Sequence, residues 1–329
     1  MPKKVGLLFG MERSFPLALV EEINRQGAGK VVAEPVNTAS PRFDAKPPYD
    51  VVLDRISQDI PFYRYWLKQC CFHGTQVVNN PFWWSADEKY FGCMVAESVG
   101  VAVPKTMLLP PFERPEGTEA ESFSNLSYPL NWEEIFDHLG FPIFMKPADG
   151  GGWRDVFKCD NPDEFMAAYH KSRDLTMMIQ EAIDFTDYFR CYGLGREHVH
   201  IMRYDPLQPH HKRYVTDGPP IEGELLEKLR RDVLALCGAL GYDFNTVELA
   251  MRDGVPIAID FTNPAPDAER SSVGEENFAW ILDHTAKFLI DRALNPRPFE
   301  VTGEWPQSAP CARLNSAPSA RSGAGGSTA

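Results

Sequence analysis

The sequence predicts an α/β (α+β) fold that opens with a parallel β-α-β domain. In residues 1–88, short apolar segments alternate with helical patterns, and this alternation is typical of a parallel sheet. Beyond residue 88, strand patterns follow one another with fewer helices and with tight turns between them. The 329 residues are enough for two or three domains with a sizeable core.

The first domain has strands predicted at 4–10, 31–33, 49–54 and 76–79, with helices at 15–26 and 61–71. Ligands of parallel sheets bind at the carboxyl ends of the strands. The loops that follow Phe9 and Leu53 should therefore face a substrate, and arginine in particular suits a carboxylate. Those loops carry Glu12, Arg13, Ser14 and Arg55, which we expect to contact the substrate.

The rest of the chain has helices predicted at 87–98, 132–139, 161–172, 222–240 and 276–295. Strands are predicted at 141–146, 156–158, 176–181, 187–193, 198–204 and 212–216. Residues 110–131 are rich in Pro, Glu, Ser and Gly and predict a surface insertion that is poorly ordered at least in part. Residues 301–329 predict a disordered tail.

The stretch 247–263 predicts a hairpin with its turn at Asp253-Gly254. A two-residue loop would pair Glu248 with Ile259 and place Asp260 on the opposite face. A three-residue loop would pair Glu248 with Ala258 and make Asp260 a diagonal neighbour on the same face. We predict the three-residue loop, with Gly254 in the left-handed region.

Glu248, Asp260 and Asn263 would then offer oxygen ligands in one place. With no His or Cys nearby, this set suits a hard cation such as Mg²⁺ holding a nucleotide phosphate. The alternative is an amphipathic hairpin with a solvated glutamate and an aspartate at its strand end.

Lys146 ends a predicted strand and is followed by glycines at 150–152. A lysine neutralises phosphate oxygens, and glycines let backbone N–H groups approach them. The same glycines also fit a flexible hairpin tip. The backbone at 180–183, where the next predicted strand ends, could pair with an adenine, and a carboxylate a few residues later could bind the ribose hydroxyls. The alternative is an ordinary strand end with solvated acidic side chains. Arginines at 190, 203 and 213 could line an anionic site or lie on exposed strand faces.

The net charge of −13 argues against nucleic acid as a partner. No apolar run reaches the ~18 residues that a membrane span needs, so we expect no membrane partner. The seven cysteines include no C-x-x-C pair, which fits reduced thiols and a cytoplasmic protein.

Taken in order, five segments resemble the motifs of the ATP-grasp superfamily: Lys89 with its neighbours, then 100–106, 140–147, 178–183 and 247–264. The chain is similar to glutathione synthetases and ribosomal-protein-modifying glutamate ligases. The resemblance implies a pre-ATP-grasp domain at 1–88, a small subdomain at 89–180 with a lid at 150–153, and a C-terminal subdomain at 181–300. The two subdomains would clasp the nucleotide.

The resemblance also implies ATP and two Mg²⁺ ions, which Mn²⁺ could replace. Lys89 and Lys146 would contact the phosphates and Glu248, Asp260 and Asn263 the metal ions. The remaining nucleotide contacts implied are Gly151, Gly152, Gln180, Glu181, Ala182, Ile183 and Asp187. The residues implied in catalysis are Lys146, Arg190, Arg203 and Arg213.

Such enzymes activate a carboxylate as an acyl phosphate, which an amine or thiol attacks. The carboxylate could belong to a small molecule or a peptide, and a homo-oligomer stays open. Two departures from the family pattern concern substrate geometry: Asp260-Phe-Thr-Asn263 stands for the usual Glu-x-Asn, and Thr246 stands where an arginine is common. Alternatives are a phosphotransferase acting on a hydroxyl and a non-catalytic nucleotide-binding partner protein.

Overall fold

The computed structural model describes residues 1–82, 88–209, 212–215 and 218–297. Contacts divide the chain into two compact units, which consist of Met1–Phe82 with the residues from Leu282 onward, and of Trp83–Ile281. The predicted tail at 301–329 lies outside the described residues. No described helix is both long and apolar enough to cross a membrane.

The first unit is built on a four-stranded parallel sheet. Its elements are β1 (Lys3–Leu8), α1 (Phe15–Gln26), β2 (Val31–Pro35), β3 (Val51–Asp54), α2 (Pro61–Phe72) and β4 (Gln76–Val78). The strand order is β2-β1-β3-β4, and all neighbours run parallel. The β-α-β prediction for this part of the chain is therefore confirmed.

Helix α1 shows why the first unit folds this way. It has proline at its start, where the missing N–H costs nothing, and it buries Phe15, Leu19 and Ile23 on one face at a spacing of four residues. It ends at Gly27, where a side chain would overlap the carbonyl of Val31. The glycine therefore lets the chain turn tightly from the helix into β2.

The second unit contains two antiparallel sheets. Its elements in chain order are α3 (Lys89–Ser98), β5 (Thr106–Leu109), α4 (Trp132–Leu139), β6 (Ile143–Pro147), β7 (Phe157–Cys159), α5 (Pro162–Lys171), β8 (Met177–Glu181), β9 (Asp187–Leu194), β10 (His198–Tyr204), β11 (Tyr214–Val215), α6 (Gly223–Leu240), β12 (Phe244–Arg252), β13 (Val255–Asp260) and α7 (Arg270–Val273). The last helix, α8 (Glu275–Leu294), begins in the second unit and belongs to the first unit from Leu282 onward. The first sheet has the order β5-β8-β6-β7 and the second β11-β10-β9-β12-β13.

Each sheet of the second unit shares a buried apolar cluster with helices. Ile135 of α4 and Phe165 of α5 belong to the same cluster as Ile143 and Met145 of β6. Helix α6 contributes Val233 and its neighbours to the cluster of the larger sheet. One face of each sheet is thereby closed.

The insertion at 110–131 is more ordered than the sequence predicts. It contains a 3-10 helix at Ala120–Phe123. The ring of Phe112 stacks on His170 with centroids 4.2 Å apart, and Tyr169 Oη donates to the Pro110 carbonyl at 2.9 Å. These contacts hold the start of the insertion on α5. The four-residue helix α7 has no counterpart among the predicted elements.

Candidate active site

The hairpin of β12 and β13 has a shorter turn than the sequence predicts. Arg252 pairs with Val255, so only Asp253 and Gly254 form the turn. Their φ angles are 53° and 76°, as in a type I′ turn, which matches the twist of antiparallel strands. The predicted three-residue loop is wrong.

A β-bulge nevertheless brings the two acids onto one face. The pairing runs regularly to Leu249 with Ala258 and then shifts, so that Glu248 lies opposite Asp260. Ile259 is the extra residue of the bulge. In a regular pairing Glu248 would lie opposite Ile259, and the side chain of Asp260 would point to the other face of the hairpin. The acids are thus direct cross-strand neighbours on the same face, closer than the diagonal arrangement predicted.

Glu248 is buried and both its oxygens accept hydrogen bonds. Tyr188 Oη donates to Oε2 at 2.6 Å, and Arg190 Nη1 donates to Oε1 at 2.7 Å. Burial raises the pKa of Glu248, and the charge of Asp260 adds to the rise while Arg190 opposes it. The carboxylate is held in place, and the guanidinium offsets its charge.

Asp260 faces the two lysines that were predicted to contact phosphate. Lys89 Nζ lies 3.2 Å from Asp260 Oδ1, and Lys146 Nζ lies 3.4 Å from the carbonyl of Ile259, the bulge residue. Burial alone would raise the pKa of Asp260, but the two lysines hold it below its ordinary value. Burial lowers the pKa of Lys146, and the charge of Asp260 opposes that effect.

Asn263 is the third residue that was predicted to hold a metal ion, and it lies three residues beyond Asp260. Its Nδ2 donates to the Thr246 carbonyl at 3.1 Å and its backbone N–H to Asn245 Oδ1 at 2.8 Å, while its own Oδ1 accepts no hydrogen bond within the described residues. The described residues contain no group of three or more His, Cys, Asp or Glu side chains that could hold a metal. Two carboxylates and one amide oxygen fit Mg²⁺, which is commonly bound through one or two carboxylates with substrate phosphates.

A cavity of about 210 Å³ opens beside these groups in the second unit. Nine of the predicted residues line it: Lys89, Lys146, Gly151, Gly152, Gln180, Glu181, Ile183, Glu248 and Asp260. Ala182, Asp187 and Asn263 are not among the lining residues. The apolar part of the wall includes Phe144, Phe185 and Leu207, which periodicity did not single out because such residues look like ordinary core.

The edge predicted to meet adenine is partly occupied. The Glu181 N–H donates to the Lys105 carbonyl at 3.1 Å, and the Ala182 N–H donates to the Pro142 carbonyl at 3.0 Å. The Glu181 carboxylate accepts from Arg252 at 3.2 Å and from the Lys105 N–H at 3.0 Å. The Ile183 N–H has no acceptor within the described residues, and Ile183 is one of the residues that line the cavity.

The three predicted arginines lie in different surroundings. Arg190 also reaches Thr246 Oγ1, at 3.4 Å, the position where an arginine was expected. Arg203 donates to Asp187 at 2.8 Å, so the carboxylate predicted for the ribose is already paired. Arg213 lies over the ring of Trp153, an exposed residue beside the glycines, at 5.5 Å from its centroid.

The four residues predicted for substrate lie in the first unit. Arg55 is 4% exposed and donates from Nε to both oxygens of Glu12, at 3.0 and 2.8 Å. Arg13 donates to the Glu12 carbonyl at 3.5 Å, and Ser14 precedes the first residue of α1. Arg55 is thus neutralised by its neighbour, and a substrate role for these four residues stays a prediction.

No protein-family model matches the sequence. Over 195 residues the chain is 25% identical to a D-alanine–D-alanine ligase from Ralstonia nicotianae, and the match covers 51% of this chain and 59% of that ligase. The chain spans between 26% and 59% of the lengths of four D-alanine–D-alanine ligases that it matches.

Solved structures match nearly the whole chain. A Bacillus anthracis D-alanine–D-alanine ligase complexed with ATP matches with a TM-score of 0.63 at 16% identity, over 89% of this chain and 97% of that one. The ATP-grasp ligase PsnB, complexed with minimal precursor, Mg and ADP, matches at 0.57 and 12%, over 88% and 98%. The macrocyclase MdnC from Microcystis aeruginosa, bound with precursor peptide MdnA, matches at 0.55 and 13%, over 88% and 99%. At these identities the similarities establish the fold.

Proposed function

The chain has the ATP-grasp fold, and from that premise we propose that it is an ATP- and Mg²⁺-dependent ligase. It activates a carboxylate as an acyl phosphate, and an amine or thiol then attacks the carbonyl carbon. ADP leaves in the first step and inorganic phosphate in the second. The similarity to D-alanine–D-alanine ligases supports the carboxylate–amine class of reaction.

One observation carries the proposal. Glu248 and Asp260 lie directly opposite each other on one face of the hairpin, and both line the same cavity as Lys89, Lys146 and the glycine loop. A hairpin with solvated acids would not account for the burial of the Glu248 carboxylate or for the two lysines next to Asp260. A triphosphate with its metal ions gives a reason for every one of these charges.

The chain's own groups divide the work. Lys89 and Lys146 offset the negative charge of the phosphates, and burial makes their charges act more strongly than they would in water. The backbone of Gly151 and Gly152 can approach the phosphates closely and keep water out. When bound to Glu248, Asp260 and Asn263, Mg²⁺ supplies further neutralisation of the transferred phosphoryl group.

Arg190 is the residue we propose in place of the arginine missing at Thr246. It stands on β9 directly opposite Glu248, and it contacts both that carboxylate and the Thr246 hydroxyl. Its guanidinium therefore reaches the same point from the neighbouring strand. Arg213 lies over Trp153 beside the glycines, where its charge would assist phosphate binding. Arg203 donates to Asp187 and would hold that carboxylate in position.

The acid substrate belongs to a small molecule or to a peptide, and the match with a peptide-bound macrocyclase supports including peptides. We place the protein in the cytoplasm, since the six cysteines described are buried free thiols.

The test is ADP release from ATP and Mg²⁺ across a panel of acids, amines and thiols, with mass spectrometry of the product. We expect release that needs one acid and one nucleophile together, and loss of that release in Glu248→Gln and Asp260→Asn. The exposed Glu227→Gln serves as the matched control and should retain activity. A stable phosphorylated product would instead indicate a phosphotransferase. Bound ATP without ADP release would indicate a non-catalytic partner protein.

A further inference from the structure

Gln180 has an unusual position for a polar side chain. It is 3% exposed, lies on the central strand β8 and lines the cavity proposed for ATP. Its side-chain nitrogen has two partners, Thr106 Oγ1 at 2.8 Å and Cys93 Sγ at 3.7 Å. Its side-chain oxygen accepts no hydrogen bond within the described residues. This oxygen retains some accessible surface, so it can accept a hydrogen bond from a ligand in the cavity.

Thr106 decides which end of this amide faces the cavity. Its hydroxyl donates its single proton to the Pro104 carbonyl at 2.7 Å. The same oxygen can therefore only accept, so the group of Gln180 that meets it must be the NH₂ end. Thr106 and Gln180 are direct cross-strand partners on β5 and β8, which fixes the distance between them. The carbonyl oxygen of Gln180 is left pointing toward the base.

An amide with only its acceptor available distinguishes purines at position 6. Adenine presents an amino group there and can donate, whereas hypoxanthine and guanine present an oxygen. Two acceptors facing each other repel and leave both without a partner. If the amide rotated by 180°, its NH₂ group would donate to the 6-oxo group of hypoxanthine or guanine and would leave the 6-amino group of adenine without an acceptor. The nucleobase preference then depends on what prevents that rotation.

We propose that Thr106 is the positioning residue that sets the preference for 6-aminopurine nucleotides, by holding the amide of Gln180 with its oxygen toward the cavity. Thr106 itself is not among the cavity-lining residues. The proposal rests on the proposed function for the cavity as a nucleotide site, and it adds a residue outside the cavity wall that determines selectivity.

The experiment measures equilibrium binding of ATP and ITP, each with Mg²⁺, by calorimetry on the full chain. ITP differs from ATP at position 6 and in the adjoining ring proton, and it lacks the 2-amino group of GTP. Thr106→Val removes the acceptor at nearly constant volume. We expect it to weaken ATP binding, to strengthen ITP binding and to lower the ratio of the ITP to the ATP dissociation constant by about fivefold or more, since a net hydrogen bond corresponds to about that factor.

Two variants separate this role from a structural one. Thr106→Ser keeps the hydroxyl and should retain the wild-type ratio. Thr118→Val is the matched control, because Thr118 likewise donates to a proline carbonyl, that of Pro115 at 2.7 Å, but does not line the cavity. If Thr106→Val folds poorly, Thr106→Ala removes the same acceptor and should shift the ratio in the same direction.

The results distinguish this inference from the proposed function. A wild-type protein that prefers ATP, together with Thr106 variants that weaken ATP and ITP equally or leave both unchanged, overturns the role of Thr106 and leaves the nucleotide site standing. A wild-type protein that binds neither nucleotide overturns both.

Discussion

Arg190 and a metal ion share one carboxylate in the proposed site, which makes Arg190→Met an informative perturbation. Glu248 lies 2.7 Å from Arg190, and their side chains are only 10% and 13% exposed. Methionine fills similar volume without charge. In the absence of metal the variant leaves Glu248 buried opposite Asp260 with no guanidinium to offset it. Folding should therefore become less favourable, and added Mg²⁺ should restore more stability than it does in the wild type.

The size of the effect follows from the geometry. Two unit charges about 4 Å apart interact by about 4 kcal/mol at an effective dielectric constant of ~20. Removal of one partner from a buried pair typically costs about 3–5 kcal/mol. We expect a loss of about 3 kcal/mol in unfolding free energy, at the lower end of this range, because the Tyr188 hydroxyl still donates to Glu248. Mg²⁺ at 100 times its dissociation constant would return about 2.7 kcal/mol.

The assay is urea unfolding of both proteins in EDTA and in Mg²⁺. Arg203→Met is the matched control, because its partner Asp187 is 45% exposed and has no place in the metal site. That variant should lose about 1 kcal/mol or less and respond to Mg²⁺ as the wild type does. The reasoning is refuted if Arg190→Met costs no more than Arg203→Met, or if Mg²⁺ stabilises it no more than the wild type.

Three further outcomes are expected. Trp153 is 61% exposed and lines the cavity, so an ATP analogue should change tryptophan emission in the wild type and much less in Trp153→Phe at equal affinity by calorimetry. Gly254→Val should lower unfolding free energy by about 1–2 kcal/mol in urea, since φ there is 76°; an unchanged midpoint would contradict the turn. Arg25 and Gln26 lower the pKa of Glu22 from 4.5 to about 2, so the stability advantage over Glu22→Gln should be complete above pH 4.5 and vanish as pH falls through 2. A constant difference across that range would count against the ion pair.

The sequence predicts much of the fold because its strongest signals are local. Helices α1 and α4 have the predicted bounds, and a glycine follows each of them, while the parallel first sheet follows from simple alternation. The turn of the hairpin is also recognisable from Asp253-Gly254. Its length is not, because both loop lengths suit the same residues.

The parts of the site that the sequence misses depend on pairing between distant segments. Three arginines looked equivalent, and only the register of β9 against β12 places Arg190 opposite Glu248. The ion pair of Arg55 with Glu12 likewise joins two loops of the first unit. A two-residue turn with regular pairing would place Glu248 and Asp260 on opposite faces, and the bulge at Ile259 returns them to the same face. No local sequence pattern predicts this bulge. The predicted proximity of the two acids is right, although the turn from which it was argued is wrong.

The bulge also divides the hairpin into two parts with separate tolerances. The residues at the tip, Asp253 and Gly254, are exposed, and the residues on either side of them, Arg252 and Val255, pair with each other. The acids at the base take their alignment from the extra residue at 259. A peptide tag or a longer loop inserted at the tip should therefore leave Glu248 opposite Asp260, provided that the strand pairs between the tip and the bulge are retained. The tip is accordingly a permissive attachment point for a probe near a site that tolerates no change in alignment.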